Sequence, residues 1–321
     1  MSTSTLPRHR SLVTFALITA TALTVTSCGA GESTGEEPSG RAGAVQNAAL
    51  PTQDVVSGLE EVPAVSALLP EAVRERGSLT LALSVGGNPP GSSYLKDGKT
   101  LAGQDVDFAY AVAEVLGIEL QREVASFEAI LPALGSGKYD IGTGNFGVTD
   151  ERRKTIDFVT YINDGQGFAT RADSTLPKVT DLVQLCGRKV ATGAGTTFEA
   201  TLQDGEQRCE DAGKEPYEVQ TYGDQSAIWS ALQQGRADVV MSTINGLRYA
   251  VAQQKGFAFL NEYHRLDVGF AFKKGTPLAP AFRAAVNELI ENGTYDRILA
   301  KWGTTGSALK SSEISPPEAK R

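Results

Sequence analysis

One nine-residue pattern occurs twice in this chain, and it constrains the fold more than any other feature. Ala133-Leu-Gly-Ser-Gly-Lys-Tyr-Asp-Ile141 reads A-L-x-x-G-[basic]-x-D-[β-branched], and Ala231-Leu-Gln-Gln-Gly-Arg-Ala-Asp-Val239 repeats it 98 positions later. Each copy closes a helical run, turns at glycine and enters a strand. In the first copy the helix is marked by Phe127, Ile130, Leu131 and Leu134 at i, i+3, i+4, i+7, and Gly135 and Gly137 close it. Upstream, the alternation from Leu79 to Val85 predicts a strand, Phe108, Val112, Val115 and Leu116 a helix, and Ile118, Leu120 and Val124 a second strand. Alternating strands and helices predict an α/β chain. Its internal echo predicts two similar lobes with a crevice between them that suits a small ligand.

The termini are expected to lie outside this core. Arg8 and Arg10 precede an uncharged, mostly apolar run from Leu12 to Val25 that is too short for a comfortable membrane span of about 20 residues. Val25-Thr-Ser-Cys28-Gly follows, so residues 1–27 read as a secretory signal and Cys28 as the lipidated first residue of the mature chain, resembling the bacterial lipobox. Residues 28–76 are expected to form a tether, with a short helix somewhere in 65–74 that Pro70 either breaks or starts. Residues 304–321 are expected to be a tail. Cleavage leaves 28 Lys+Arg against 38 Asp+Glu, since the 30 basic residues include Arg8 and Arg10. A chain this acidic is not built for nucleic acid. With His9 removed, His264 is the one histidine left, so multi-histidine metal sites are excluded and neither a metal nor a cofactor is expected. Of three cysteines, Cys28 goes to lipid, leaving Cys186 and Cys209 as a disulfide or as two buried thiols.

Two motifs carry chemistry. In Gly144-Asn-Phe-Gly-Val-Thr-Asp-Glu-Arg-Arg153, Thr149 reads as an N-cap, with Asp150 and Glu151 in the first turn of a helix. Arg152 and Arg153 oppose the dipole of such a helix. Either an arginine and the helix start converge on one anion, or both arginines are solvated or paired with the neighbouring acids. In Lys189-Val-Ala-Thr-Gly-Ala-Gly-Thr-Thr-Phe-Glu199 a strand meets glycines, and Thr196-x-x-Glu199 forms a capping box. No G-K-[ST] ending follows, so this is not a phosphate-binding P-loop.

Further elements join these in order: Gly103-x-Asp105-Val-Asp107, Leu131-Pro-Ala-Leu-x-x-Gly-x-Tyr-Asp140, Thr149-x-x-Arg152-x-x-x-x-Asp157-Phe158, Gly195-Thr-Thr197, Gly235-Arg-x-Asp238, and Asn292-Gly-Thr-Tyr-x-x-Ile-Leu-x-Lys-Trp302-Gly303. In combination, over roughly residues 77–303, they resemble the family 3 solute-binding proteins of polar amino-acid ABC importers. The resemblance implies a type II periplasmic-binding fold, two α/β lobes joined by crossing hinge strands near 167–171 and 268–272. Lobe 1 is then 77–168 plus 271–303, and lobe 2 is 172–267. It implies a lipid-anchored extracytoplasmic monomer that passes a small carboxylate or amino acid to a membrane permease, the ATPase being a separate chain. Arg152 would grip the ligand carboxylate with help from Thr196 and Thr197, and Asn145 and Gly147 would line the pocket. Phe127 would pack either on the ligand or in the core. Two departures stand out. Pro89-Pro90 is followed by Gly91 where an aromatic is usual, which leaves Tyr94 as a substitute. The acid that usually holds the ligand ammonium is Thr243 here, so either another acid reaches in or the ligand is not a standard α-amino acid. The same fold also serves dehydratases, for which His264 would be the acid or base, and sensing subunits of membrane receptors.

Overall fold

The computed structural model describes residues 50–87 and 89–319, so the signal, Cys28 and the first part of the expected tether lie outside the described residues. In chain order the first lobe opens with α1 (Pro63–Ser66), α2 (Glu71–Arg76), β1 (Ser78–Leu83), β2 (Ser93–Tyr94), β3 (Leu101–Ala102), α3 (Gln104–Leu116), β4 (Glu119–Val124), α4 (Phe127–Ser136) and β5 (Ile141–Gly147). The long β6 (Ile156–Arg171) leads into the second lobe, with β7 (Lys189–Gly193), α5 (Thr197–Gly205), α6 (Gln207–Asp211), β8 (Glu218–Tyr222), α7 (Gln225–Gln233), β9 (Val239–Thr243) and α8 (Ile244–Gln253). The long β10 (Phe257–Lys273) returns to the first lobe for α9 (Ala279–Glu291) and α10 (Thr294–Trp302).

Eight strands form one sheet in the order β4-β1-β5-β10-β6-β9-β7-β8, while β2 and β3 make a separate hairpin. The order has the same plan from either end. A first strand, β1 or β7, lies parallel between an edge strand and the strand that follows the repeated motif, and a long strand then runs antiparallel beside it. The repeat is thus the topological signature of the two lobes. Its glycines, Gly137 and Gly235, sit just beyond α4 and α7 with φ of 78° and 69°, a left-handed turn that a side chain would strain. Its aspartates have one job each. Asp140 accepts from the Thr80 amide (2.9 Å) and Asp238 from the Lys189 amide (2.8 Å), so each pins the start of its strand to the first strand of its lobe.

β6 and β10 pair along nearly their whole lengths and belong to both lobes. β10 pairs with β5 from Val268 to Ala271, and β6 pairs with β9 from Gln166 to Thr170, so the crossing lies at about 163–166 and 264–267. This corrects the expected crossings, which fall a few residues too late on both strands, inside the lobes. Gly165 marks the spot: its φ is 130°, and a Cβ there would lie 2.2 Å from the His264 carbonyl oxygen.

Two further expectations are corrected. From Leu50 onward the chain is part of lobe 1 rather than a tether. Leu50, Val55, Val56, Leu59 and Val62 pack on its core, and Val65, Leu69 and Val73 enter it. Pro70 does not break a helix but stands as the N-cap of α2. Residues 304–319 are no free tail. Ser307 and Ser312 are buried, Ile314 bridges to Val159, and the Glu318 amide donates to Asp150 (3.1 Å). Helices α3, α9 and α10 build the main core of lobe 1 with Phe108, Tyr161, Phe270 and Phe282, while α4 covers the opposite face of the sheet. In lobe 2 the side bearing α5 and α6 is closed by the Cys186–Cys209 disulfide, which settles the open choice about these thiols.

Candidate functional site

Between the lobes lies a cavity of about 470 Å³. Phe127, Asn145 and Arg152 reach it from lobe 1, and Thr196, Thr197 and Thr243 from lobe 2. The lobes touch across it. Arg152 donates through Nη1 to the Gly147 carbonyl (3.1 Å) and through Nη2 to the Gly195 carbonyl in lobe 2 (3.2 Å). Phe127 stacks on Phe146 at 4.8 Å, and the Arg152 guanidinium lies 5.9 Å from the Phe127 ring centre. Phe127 is therefore both core and cavity wall. No carboxylate of the described residues pairs with Arg152, and burial lowers its pKa to about 10. An arginine held by carbonyls alone leaves room at its fork for an anion from outside the chain. Arg153 is different: it pairs with Asp150 at 2.6 Å and does not line the cavity.

The local chain explains these placements, with one departure. Thr149 does accept from the Arg152 amide (3.2 Å), but only a three-residue 3-10 turn, Arg152–Lys154, follows. The expected helix dipole is absent there, so Arg152 is placed by its carbonyl contacts. Across the cleft the cap holds. Thr196 accepts from the Glu199 amide (3.2 Å), and Glu199 accepts from the Gly195 amide (2.7 Å), opening α5 towards the cavity. Thr243 caps α8 by accepting from the Gly246 amide (3.1 Å).

Two of the expected site residues do not line the cavity. Gly147 sits behind Arg152 and contributes its carbonyl. Tyr94 is 44% exposed on the β2–β3 hairpin and faces a neighbouring recess of about 790 Å³ with Trp229 and Tyr249. His264 is also remote from the cavity. Its Nε2 lies 2.8 Å from the Ala319 carbonyl, in a separate recess.

Two wall residues were not foreseen as site residues, Asp105 and Asp164, both fully buried. Tyr161 donates to Asp105 (2.7 Å), while Asp164 accepts from the Asn245 amide (3.1 Å) and from Asn145 Nδ2 (3.1 Å). Asn145 is held at φ 58°, in the left-handed region that asparagine tolerates better than most residues. Burial pushes Asp105 up to about 6 and Asp164 up to about 7. The wall also carries Ser92 and Gln225, each with a buried polar atom, Oγ and Nε2, that has no partner. With Glu128 and Asp224 the lining holds four carboxylates and one guanidinium. Among the described residues no cluster of His, Cys, Asp and Glu could hold a metal ion, and no helix is long and apolar enough to cross a membrane.

Two lobes on shared crossing strands, closed over a polar cavity, define a bilobal ligand-binding protein. Residues 81–305 match the bacterial extracellular solute-binding proteins, family 3, and the chain belongs to that family. It is 32% identical to the arginine-binding protein ArgT of Corynebacterium glutamicum, over 80% of this chain and 84% of that one. It is 31% identical to the L-cystine-binding protein TcyJ of Escherichia coli, over 72% and 84%. Among solved structures, an ancestral arginine-binding protein bound to arginine superposes with a TM-score of 0.63 at 31% identity, covering 71% of this chain and 98% of that one.

Proposed function

We propose that this chain is the substrate-binding component of an ABC importer, lipid-anchored through Cys28 on the outer side of the cell membrane. It captures an amino acid with a cationic side chain between its lobes and delivers it to a membrane permease, the ATPase being a separate chain. The observation that carries this reading is the charge pattern of the cavity: one guanidinium with no carboxylate partner among the described residues, and two buried acids, Asp105 and Asp164, that form no ion pair among them. A ligand with one carboxylate and cationic groups complements both. The named arginine-binding relative supports the same class. Nothing in the cavity resembles an acid–base pair built around His264, since that residue faces another recess. A thermal-shift screen of the purified protein tests the reading. Basic L-amino acids are expected to raise the melting temperature, acidic ones to leave it unchanged. At about 100 times its dissociation constant a ligand adds roughly 2.7 kcal/mol. Silence towards every amino acid would remove the reading.

A further inference from the structure

We infer that Asp164, on the crossing strand β6, is the acid that receives the ligand's α-ammonium. The inference rests on the proposed function, because it takes the ligand carboxylate to lie on Arg152. The two anchors are neighbours on β5. Arg152 is fixed through the Gly147 carbonyl and Asp164 through the Asn145 side chain. Gly147 and Asn145, which fix them, are two residues apart, a stretch of chain that spans at most about 7 Å, so both groups are tied to the same end of β5. A single amino-acid head group carries its carboxylate and its ammonium only a few bonds apart, so it calls for two anchors in one neighbourhood of this kind.

Three observations favour Asp164 over Thr243 and Asp224. Thr243 lies where a lobe 2 acid would be presented at the start of α8, but its hydroxyl caps that helix and carries no charge. Asp224 at the far side already accepts from the Ser226 and Ala227 amides. Asp164 faces the start of α8 from the adjacent strand. It precedes Gln166, the register partner of Thr243, by two residues, and the Asn245 amide donates to it. Asp164 therefore brings a negative charge to the place where Thr243 supplies none. Its two hydrogen bonds occupy one oxygen each, Oδ1 from Asn245 and Oδ2 from Asn145, and a carboxylate has capacity beyond two donors. Asp105, oriented by Tyr161, stands close enough to raise the pKa of Asp164, so two buried acids face the cavity with Arg265 as a more distant cation and no ion pair of their own among the described residues.

Calorimetric titration of the full-length protein with L-arginine and with its deaminated counterpart, 5-guanidinopentanoate, isolates the ammonium. The wild type is expected to prefer L-arginine by at least about thirtyfold, the equivalent of 2 kcal/mol or more for a buried charge pair. D164N keeps one acceptor oxygen, for the Asn245 amide, and turns the other position into an NH2 that a flipped Asn145 carboxamide can accept; it is expected to lose most of that preference while its affinity for 5-guanidinopentanoate changes little. Asp164→Ser serves as a second variant, and melting curves establish that each is folded. Retained preference in both folded variants, or its loss in D105N but not in D164N, would overturn the assignment to Asp164 alone. A wild type that binds neither compound would overturn the carboxylate clamp and this assignment with it.

Discussion

The two walls of the cleft are built on one plan from one repeated motif, yet they present different chemistry. Lobe 1 brings charges of both signs, half-buried Arg152, buried Asp105 and exposed Glu128, with the Phe127 ring between strand and cavity. Lobe 2 brings hydroxyls and backbone from Thr196, Thr197, Ser242 and Thr243, and its one carboxylate on the wall, Asp224, is engaged in capping α7. Asp164 belongs to the crossing between them. A ligand can thus satisfy its charges on lobe 1 and the crossing strand first. Lobe 2 adds mainly hydroxyls and backbone, so closing it over a ligand would desolvate little charge beyond the capped Asp224.

The sharpest way to break this asymmetry is Arg152→Ala, expected to weaken binding by about 2–5 kcal/mol, at least tenfold, by calorimetry. Unchanged affinity would remove Arg152 from the site. The lobes also differ in how they are held together. Lobe 1 relies on its helical layers, whereas lobe 2 has a disulfide joining cysteines 23 residues apart. Reduction should cost about 3 kcal/mol in urea unfolding, felt in lobe 2. Next comes pH. Asp105 and Asp164 titrate up to about 6 and 7 in the ligand-free protein because they are buried, facing Tyr161, Asn145, Asn245 and the more distant Arg265. A cationic ligand favours their charged forms, so affinity should fall as pH drops from 8 to 5, by up to about tenfold per unit for each of the two acids that must be charged. Folding stability should move the opposite way. Folded pKa values above the unfolded carboxylate value mean that the ligand-free protein gains stability on acidification through 7 and 6. A melting temperature flat across that window would show that neither acid carries a raised pKa. On lobe 2, Thr197→Val should weaken binding by about 1 kcal/mol, roughly fivefold. Arg153→Ala should leave affinity within about twofold, because its charge is turned to Asp150.

The repeat and the two lobes were legible because they rest on local patterns, helical spacing and a glycine turn, whereas Arg152 reaches the cavity wall through contacts with the Gly147 and Gly195 carbonyls rather than through the helix start expected beside Thr149. What escaped was non-local. Asn163-Asp164-Gly165 between two apolar runs has the composition of a hairpin turn, yet it lies inside a 16-residue strand. Only pairing with β10 keeps it extended, and only the meeting of β5, β6 and α8 turns Asp164 into a cavity wall. Asp105 was legible as a motif residue but not as a wall, because burial under Tyr161 depends on a partner 56 residues away. The helices before β1 have four and six residues, too short to show a period. Residues 304–319 are polar and aperiodic, and they are held by contacts with β6 rather than by any pattern of their own.

The join between the lobes has a mechanical consequence. The ladder of β6 and β10 runs through the hinge, but its register slips between Phe259 and Asn261, between Glu262 and His264, and again between Val268 and Gly269. Such bulges act as slack in an otherwise stiff ribbon, concentrating twist at a few residues while the rungs on either side stay intact. A change of angle between the lobes would be taken up first at these slips, which flank the unbroken rungs from His264 to Val268. Any strain stored in that bend is subtracted from the ligand's interaction energy before it appears as affinity, so where the ladder yields bears on how tightly the cleft can bind.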